Sequence, residues 1–367
     1  MELNRRLWLK QIGLGVAGVG LVNLRSFASP AEGLLKAPAG DQPVKLSSNE
    51  NPYGPSPLAR TAMIENINVS NRYNWQLTEE LVEALAKKNN VGFNNILMGA
   101  GSTEILDLVA RFAALNKGSF VIADPSYAYW TVTAQKLGLE KITVALTADK
   151  KLDLDAMLNA IRPDTRLIYV CNPNNPTGTI CNRNKLVQFI NEATKKAMVL
   201  VDEAYIDFTD QQSLSALAVE NKNLVVAKTF SKIYGLAGAR IGYAIANAKT
   251  LEQISELQSW INGSISVASA AAALASLRDE KFVSETYSLN QKARQFTIEQ
   301  LEKLGIFCIP SSSNFIYFSL ASYKKDFFEQ LKANNISGTK IYEEEGRWTR
   351  ISVGTMKEMQ QFIAAIE

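Results

Sequence analysis

With 367 residues, 39 Lys+Arg against 36 Asp+Glu and 47% apolar side chains, the chain is long enough for two domains and has the make-up of a soluble globular protein, which excludes disordered and fibrous classes. A net charge of +3 with no basic stripe argues against a nucleic-acid partner. The absence of histidine removes Ser-His and Cys-His pairs and histidine metal sites, so any proton shuttle must be Lys, Tyr, Asp or Glu; the three cysteines lack CxxC spacing, so neither a metal nor a disulfide framework is expected.

Residues 1–30 read as a removable front end. Paired Arg5 and Arg6 in "NRRLWLK" precede a glycine-rich apolar run over 12–24 and small residues around Ala28, a pattern that resembles a twin-arginine export signal. The run is too short to span a membrane comfortably, so membrane contact is expected only during export, with the mature protein periplasmic or otherwise exported. The alternative is an amphipathic N-terminal arm on a cytoplasmic protein. Arg5, Arg6, Lys10 and Arg25 outnumber Glu2 by three, which accounts for the whole net charge of +3.

Residues 31–58 are proline-rich and predict an irregular arm wrapped over the body. From there helix-like periods alternate with short apolar runs, which predicts an α/β fold with a largely parallel sheet. Expected strands are "NNILMGA", "SFVIADP", "RLIYVCNP", "AMVLVDEAY", "NLVVAKTF" and "RIGYAIAN", with helices over "STEILDLVARFAAL" and "RNKLVQFINEATKKA". A large unit is expected over 59–262, ending with the helical stretch "TLEQISELQSWING". A smaller unit follows over 263–367, with strands "SNFIYFSL", "ISGTKIY" and "TRISVG" and a terminal helix.

The chemistry-bearing residues fall just after strand ends, where an open α/β sheet binds its ligands. "GAGSTEILDLV" turns through Gly99 and Gly101 into a helix that starts at Ser102, whose free amides suit an anion or a plain capped turn. "DPSYAYW" delivers Tyr127, whose ring can stack on a ligand or join the core. "CNPNNPTGTI" presents Asn175 from a proline-rich turn. "AMVLVDEAYIDF" ends with Asp202, costly in an apolar strand unless it is paired with a cation, caps a helix or meets an arginine, and sets Tyr205 three residues on. "TFSKIYGLAGARIGY" buries Lys232 among small and apolar residues, which lowers an amine's pKa and favours carbonyl chemistry, the other reading being a strand-end lysine reaching water. Around it Thr229, Ser231 and Arg240 offer two hydroxyls and a guanidinium to a phosphate. An amine, a phosphate nest, a buried carboxylate and a stacking ring together match pyridoxal 5′-phosphate.

These motifs, with "LSSNENPYGPSP" and "NRYNWQ" ahead of them and "TRISVG" behind, resemble the fold-type I pyridoxal-phosphate aminotransferases, most closely the histidinol-phosphate aminotransferase group, over nearly everything after residue 43. The resemblance implies a large domain with a mostly parallel seven-stranded sheet between helices, plus a smaller α+β domain. It implies Lys232 as the Schiff-base lysine, Asp202 on the pyridine nitrogen, Asn175 and Tyr205 on the ring hydroxyl and Tyr127 stacked on the ring. Phosphate would be held by the amides of Ala100 and Gly101, the helix start at Ser102, Thr229, Ser231 and Arg240, with Tyr73 reaching in from the other subunit of a homodimer. Arg350 would bind the substrate α-carboxylate, with Asn314, Asn51 and Tyr53 beside it. One departure concerns the substrate phosphate: the second arginine of the histidinol-phosphate enzymes is missing, and its region reads "GTKIYEEEGRW", where Lys340 is the candidate substitute and three glutamates would repel a phosphate if they face the site, the other reading being a solvated loop. The expected activity is transfer of an amino group between an amino acid, or an amino alcohol phosphate, and a 2-oxo acid. A decarboxylase or lyase of the same fold and a non-catalytic exported cofactor-binding protein are the rivals.

Overall fold

The computed structural model describes residues 43–260, 262 and 265–367; the expected export signal and the first part of the arm lie outside them. The described chain opens with a two-residue strand, β1 (Val44–Lys45). Then come helices α1 (Pro57–Ile67) and α2 (Trp75–Asn89), and strand β2 (Ile96–Gly99), which leads into α3 (Ser102–Ala113). Strands β3 (Gly118–Asp124), β4 (Leu139–Ala145), β5 (Thr165–Cys171), β6 (Met198–Asp202), β7 (Leu224–Thr229) and β8 (Gly242–Ile245) follow, with α4 (Arg183–Ala193) between β5 and β6. These strands form one seven-stranded sheet in the order β2-β8-β7-β6-β5-β3-β4. Only β8 runs against its neighbours, β2 and β7.

Alternation along each strand feeds two cores. In β5, Ile168 and Val170 face a cluster built with α2, α4 and α5 (Val267–Arg278), while Leu167 and Tyr169 face a second cluster built with α3. Both faces are covered, so the parallel strands read as unbroken apolar runs, and all six strands named from the sequence are present. Strand β4 was not among them: at the sheet edge it alternates exposed Glu140 with buried Leu139 and has no continuous apolar signal.

The stretch "TLEQISELQSWING" is helical only to Ser255. The chain then turns back onto the free edge of β2, where Gln258 Nε2 donates to the Met98 carbonyl (3.0 Å) and the Met98 N–H donates to Asn262 Oδ1 (2.8 Å). An unpaired strand edge carries backbone groups that need partners, and two side chains supply them here.

After the long helix α6 (Glu280–Lys303) come β9 (Cys308–Ile309), β10 (Phe315–Ser319), β11 (Ile336–Ser337), β12 (Ile341–Glu343) and β13 (Trp348–Ser352), and finally α7 (Met356–Ile366). An antiparallel sheet in the order β12-β13-β10-β9 packs on α6 and α7 around a third apolar cluster. The arm is irregular over most of its described length but enters this cluster: β1 pairs with β11, and Leu46 is 1% exposed among Phe318, Ile351 and Phe362.

Candidate active site

A cavity of about 350 Å³ opens at the carboxyl ends of the parallel strands, lined by Cys171, Asp202 and Thr229, the last residues of β5, β6 and β7. Lys232 lies just beyond β7 and is partly exposed to the cavity. Its Nζ donates to the Ser48 carbonyl (3.4 Å) and stands 5.5 Å from the centre of the Tyr205 ring. Burial first, and then the positive charge of Arg350, push the amine down to about 8, against the pull of Asp202 and Glu50. The neutral amine, the form that attacks carbonyls, is therefore far more populated near neutral pH than it would be on an ordinary lysine.

Asp202 is buried and doubly held. Oδ2 accepts from the Tyr169 hydroxyl (2.9 Å) and Oδ1 from the Ala204 N–H (3.0 Å). Burial drives its pKa up to about 6, and these two hydrogen bonds with the Lys232 charge keep it from rising further. A carboxylate kept ionised here, with no cation hydrogen-bonded to it among the described residues, is poised for a positively charged ring.

The anion end is built by glycine. Helices α1, α2, α4, α5, α6 and α7 each have an N-cap side chain accepting a backbone N–H, from Ser56, Asn74, Asn182, Ser266, Asp279 and Thr355. Helix α3 has Gly101 (φ 78°) and no side-chain cap, so no capping side chain claims the amides of Ser102 and Thr103, which suit an anion. A Cβ on Gly242 would stand 2.4 Å from the Ser102 nitrogen, and one on Gly101 would meet the Arg240 guanidinium. Both glycines are what allow strand, helix start and arginine to converge. Thr229 donates to Ser231 Oγ (2.8 Å), and both hydroxyls, with Ser102, Thr103 and Arg240, line the cavity.

On the other side Tyr205 accepts from Asn49 Nδ2 (3.0 Å) and Asn175 Nδ2 (3.3 Å), and burial raises its pKa. Arg350 is buried: Nη1 donates to Asn175 Oδ1, Nη2 donates to the Ser47 carbonyl (2.9 Å), and Nε has no partner. Its guanidinium carbon lies 5.3 Å from the centre of Phe315 and 5.4 Å from that of Tyr342. A cation packed between aromatic faces with an unpaired donor suits a planar carboxylate.

Of the residues singled out from the sequence, Ser102, Tyr127, Asn175, Asp202, Tyr205, Thr229, Ser231, Lys232 and Arg240 line this one cavity. Ala100 and Gly101 do not: the Ala100 N–H donates to Glu104 Oε2 and the Gly101 N–H to the Gly99 carbonyl, so the open amides begin at Ser102. Asn51 spends its amide on the Ile233 carbonyl (2.8 Å) and the Tyr53 N–H (3.0 Å). Tyr53 and Asn314 border a separate, much smaller pocket, where Asn314 Oδ1 is buried without a partner. Tyr73 is 71% exposed and clusters with Trp75 and Trp260. Lys340 is exposed, over the ring of Tyr342. Of the three glutamates, Glu343 is taken by Lys150 (2.7 Å) and the Tyr317 hydroxyl (2.6 Å), and the other two are exposed. Sequence reasoning missed Tyr169, Asn49 and the carbonyls of Ser47 and Ser48. Only Tyr169 had a signal, a phenol inside an apolar strand whose hydroxyl needs a partner.

The family described as aminotransferase class I and II matches residues 41–366. A histidinol-phosphate aminotransferase of Moorella thermoacetica is 35% identical over 335 residues, covering 88% of this chain and 84% of that protein. One of Bacillus subtilis is 32% identical over 343 residues, covering 92% and 94%. Among solved structures, a putative histidinol-phosphate aminotransferase from Erwinia carotovora atroseptica matches with TM-score 0.83 and 29% identity over 88% of this chain and 95% of that one. The Sinorhizobium meliloti histidinol-phosphate aminotransferase in complex with pyridoxal-5′-phosphate matches with TM-score 0.81 and 26% identity, covering 89% and 90%. The donor set fits that cofactor: a lowered-pKa amine, an ionised buried carboxylate and uncapped amides beside Arg240 open onto one cavity of sufficient volume. The chain belongs to the class I and II aminotransferase family and is a pyridoxal 5′-phosphate-dependent aminotransferase of fold type I.

Proposed function

We propose that this aminotransferase moves an amino group between an amino acid, or an amino alcohol phosphate, and a 2-oxo acid, with Lys232 as its catalytic amine. The observation that carries the reading is the single cavity shared by Lys232, Asp202 and the Thr229–Ser231–Arg240 anion end. Bound there, pyridoxal phosphate supplies an aldehyde that condenses with amines and a ring that accepts the electron pair left at the substrate's α-carbon. Lys232 would hold the cofactor through its amine, and that amine would serve as the base and acid that moves the substrate's α-proton. Asp202 would hold a positive ring nitrogen. Tyr205 and Asn175 would serve the ring oxygen, and Tyr127 would lie beside the ring. Ser102 and Thr103 amides with Thr229, Ser231 and Arg240 would hold the phosphate, while Arg350 would bind the substrate carboxylate.

Lys232→Ala should abolish the near-ultraviolet band of lysine-bound cofactor and reduce turnover by several orders of magnitude while leaving the circular dichroism unchanged. Retention of both band and turnover sinks the assignment. An amino donor panel that includes histidinol phosphate, read for 2-oxo product against carbon dioxide, identifies the donor and separates transamination from decarboxylation.

The reading includes a homodimer. Its support is the exposed aromatic group Tyr73, Trp75 and Trp260, together with exposed Leu58, Ile64 and Ile67 on α1, since large apolar side chains exposed in a group favour association. Light scattering of the purified protein checks it. The reading also includes an arm over 31–58, a cofactor-binding unit over 59–262 and a smaller carboxyl-terminal unit over 263–367, with Ala270, Ala272, Ala273 and Leu274 of α5 packed in the core beside the large sheet. A twin-arginine leader ending near Ala28, with an exported mature enzyme, completes it, and N-terminal sequencing of the mature protein tests that part.

A further inference from the structure

The arm residue that meets the cavity machinery is Asn49. It is 1% exposed and sits at φ 54°, a left-handed conformation that asparagine tolerates better than most residues. Its backbone is fixed at two points: its N–H donates to Ser352 Oγ at the end of β13 (2.7 Å) and its carbonyl accepts from Asn314 Nδ2, just before β10 (3.0 Å). Its side chain then has one arrangement that satisfies its neighbours. The Ser352 hydroxyl, having accepted the Asn49 N–H, donates its own proton to Asn49 Oδ1 (3.1 Å), and a flipped amide would leave that proton without an acceptor. Nδ2 therefore faces Tyr205, 3.0 Å from its oxygen.

Asn175 is oriented by the same accounting. Arginine has donors only, so the atom bonded to Arg350 Nη1 must be Asn175 Oδ1, and Nδ2 is left to donate to Tyr205 (3.3 Å). A phenol oxygen has two acceptor sites and one proton. Both acceptor sites are filled by amides from opposite parts of the chain, so the proton has one place to go: the cavity that Tyr205 lines.

We propose that Asn49 is a positioning residue for the transamination: with Asn175 it saturates the Tyr205 oxygen and commits the phenol proton to the cofactor's ring oxygen. The proposal rests on the reading of this cavity as the cofactor site. Within "NEN" the Tyr205 contact belongs to Asn49, while the Asn51 amide is taken by the Ile233 carbonyl and the Tyr53 N–H. A proton given to the ring oxygen stabilises negative charge there and lowers the proton affinity of the neighbouring lysine-bound nitrogen. Withdrawing it raises that affinity.

The experiment reads the pH midpoint of the holoenzyme's cofactor absorbance change without substrate. Tyr205→Phe removes the proton and should move the midpoint up by about one unit. Asn49→Asp keeps the shape but replaces the donor with an acceptor, so the phenol turns towards it and the midpoint should rise by about one unit, a roughly tenfold gain in proton affinity. In the Tyr205→Phe background the same substitution should add little. Asn49→Gly, which accepts the left-handed conformation, serves should the aspartate variant fail to fold, with a smaller rise expected only when Tyr205 is present. An unmoved midpoint in both Asn49 variants, or an equal shift with and without Tyr205, overturns the proposal. No shift in Tyr205→Phe alone overturns instead the placement of Tyr205 on the cofactor, and so distinguishes the two failures.

Discussion

At the scale of single residues the site depends on two ionisable groups held away from their ordinary behaviour. Tyr169 gives Asp202 a hydrogen bond that only the ionised form uses fully, a contact worth about 1.5–3 kcal/mol when the acceptor is charged. Tyr169→Phe fills the same buried space, so the fold should survive while Asp202 titrates at still higher pH and the cofactor is lost faster on dialysis; an unchanged dissociation constant refutes this role. Lys232 titrates near 8 in the native protein, whereas an unfolded lysine keeps its proton to about 10.4. Between those values the unfolded chain binds a proton that the native chain has shed, so Lys232 makes cofactor-free protein more stable as pH rises through that window. Below it, the buried charge is a standing penalty. Urea unfolding of the cofactor-free protein should show Lys232→Met more stable at pH 7, with the advantage shrinking by on the order of 3 kcal/mol towards pH 10.

At the scale of elements, the anion end exists because three backbone segments approach more closely than side chains permit. Gly242 on β8 sits against the first amide of α3, and backbone cannot move aside as a flexible side chain can. Gly242→Ala should push the helix start outward, cost about 1–3 kcal/mol of stability and weaken pyridoxal phosphate binding at least tenfold, measured by fluorescence titration. A variant with full affinity would mean that the helix start is not the phosphate site. The glycine-rich turn was visible in the sequence, but which amides remain open was not: Glu104 and Gly99 claim those of Ala100 and Gly101 only once the turn is folded.

At the scale of the whole molecule, the arm connects the cavity to the small sheet. Ser47, Ser48 and Asn49 touch Arg350, Lys232 and Tyr205, while Leu46, next in line, is buried among residues of β10, β13 and α7. Leu46→Ala empties a fully packed position and should cost about 2–5 kcal/mol in chemical denaturation. It should also lower activity more than a substitution of equal cost in α2, because the anchor of the arm is loosened.

The sequence alone determined the α/β class, six of the seven strands of the large sheet, the cofactor and most of the cavity wall. Those signals are local: an apolar run, a glycine where backbone must approach, a lysine or carboxylate just past a strand end. The tertiary structure decided what depends on partners distant in the chain, such as Tyr169 beneath Asp202, Asn49 at Tyr205, and Glu343 bound to Lys150 instead of facing a substrate. A hydrogen bond is set by the position of both groups, and a sequence states only which groups are available.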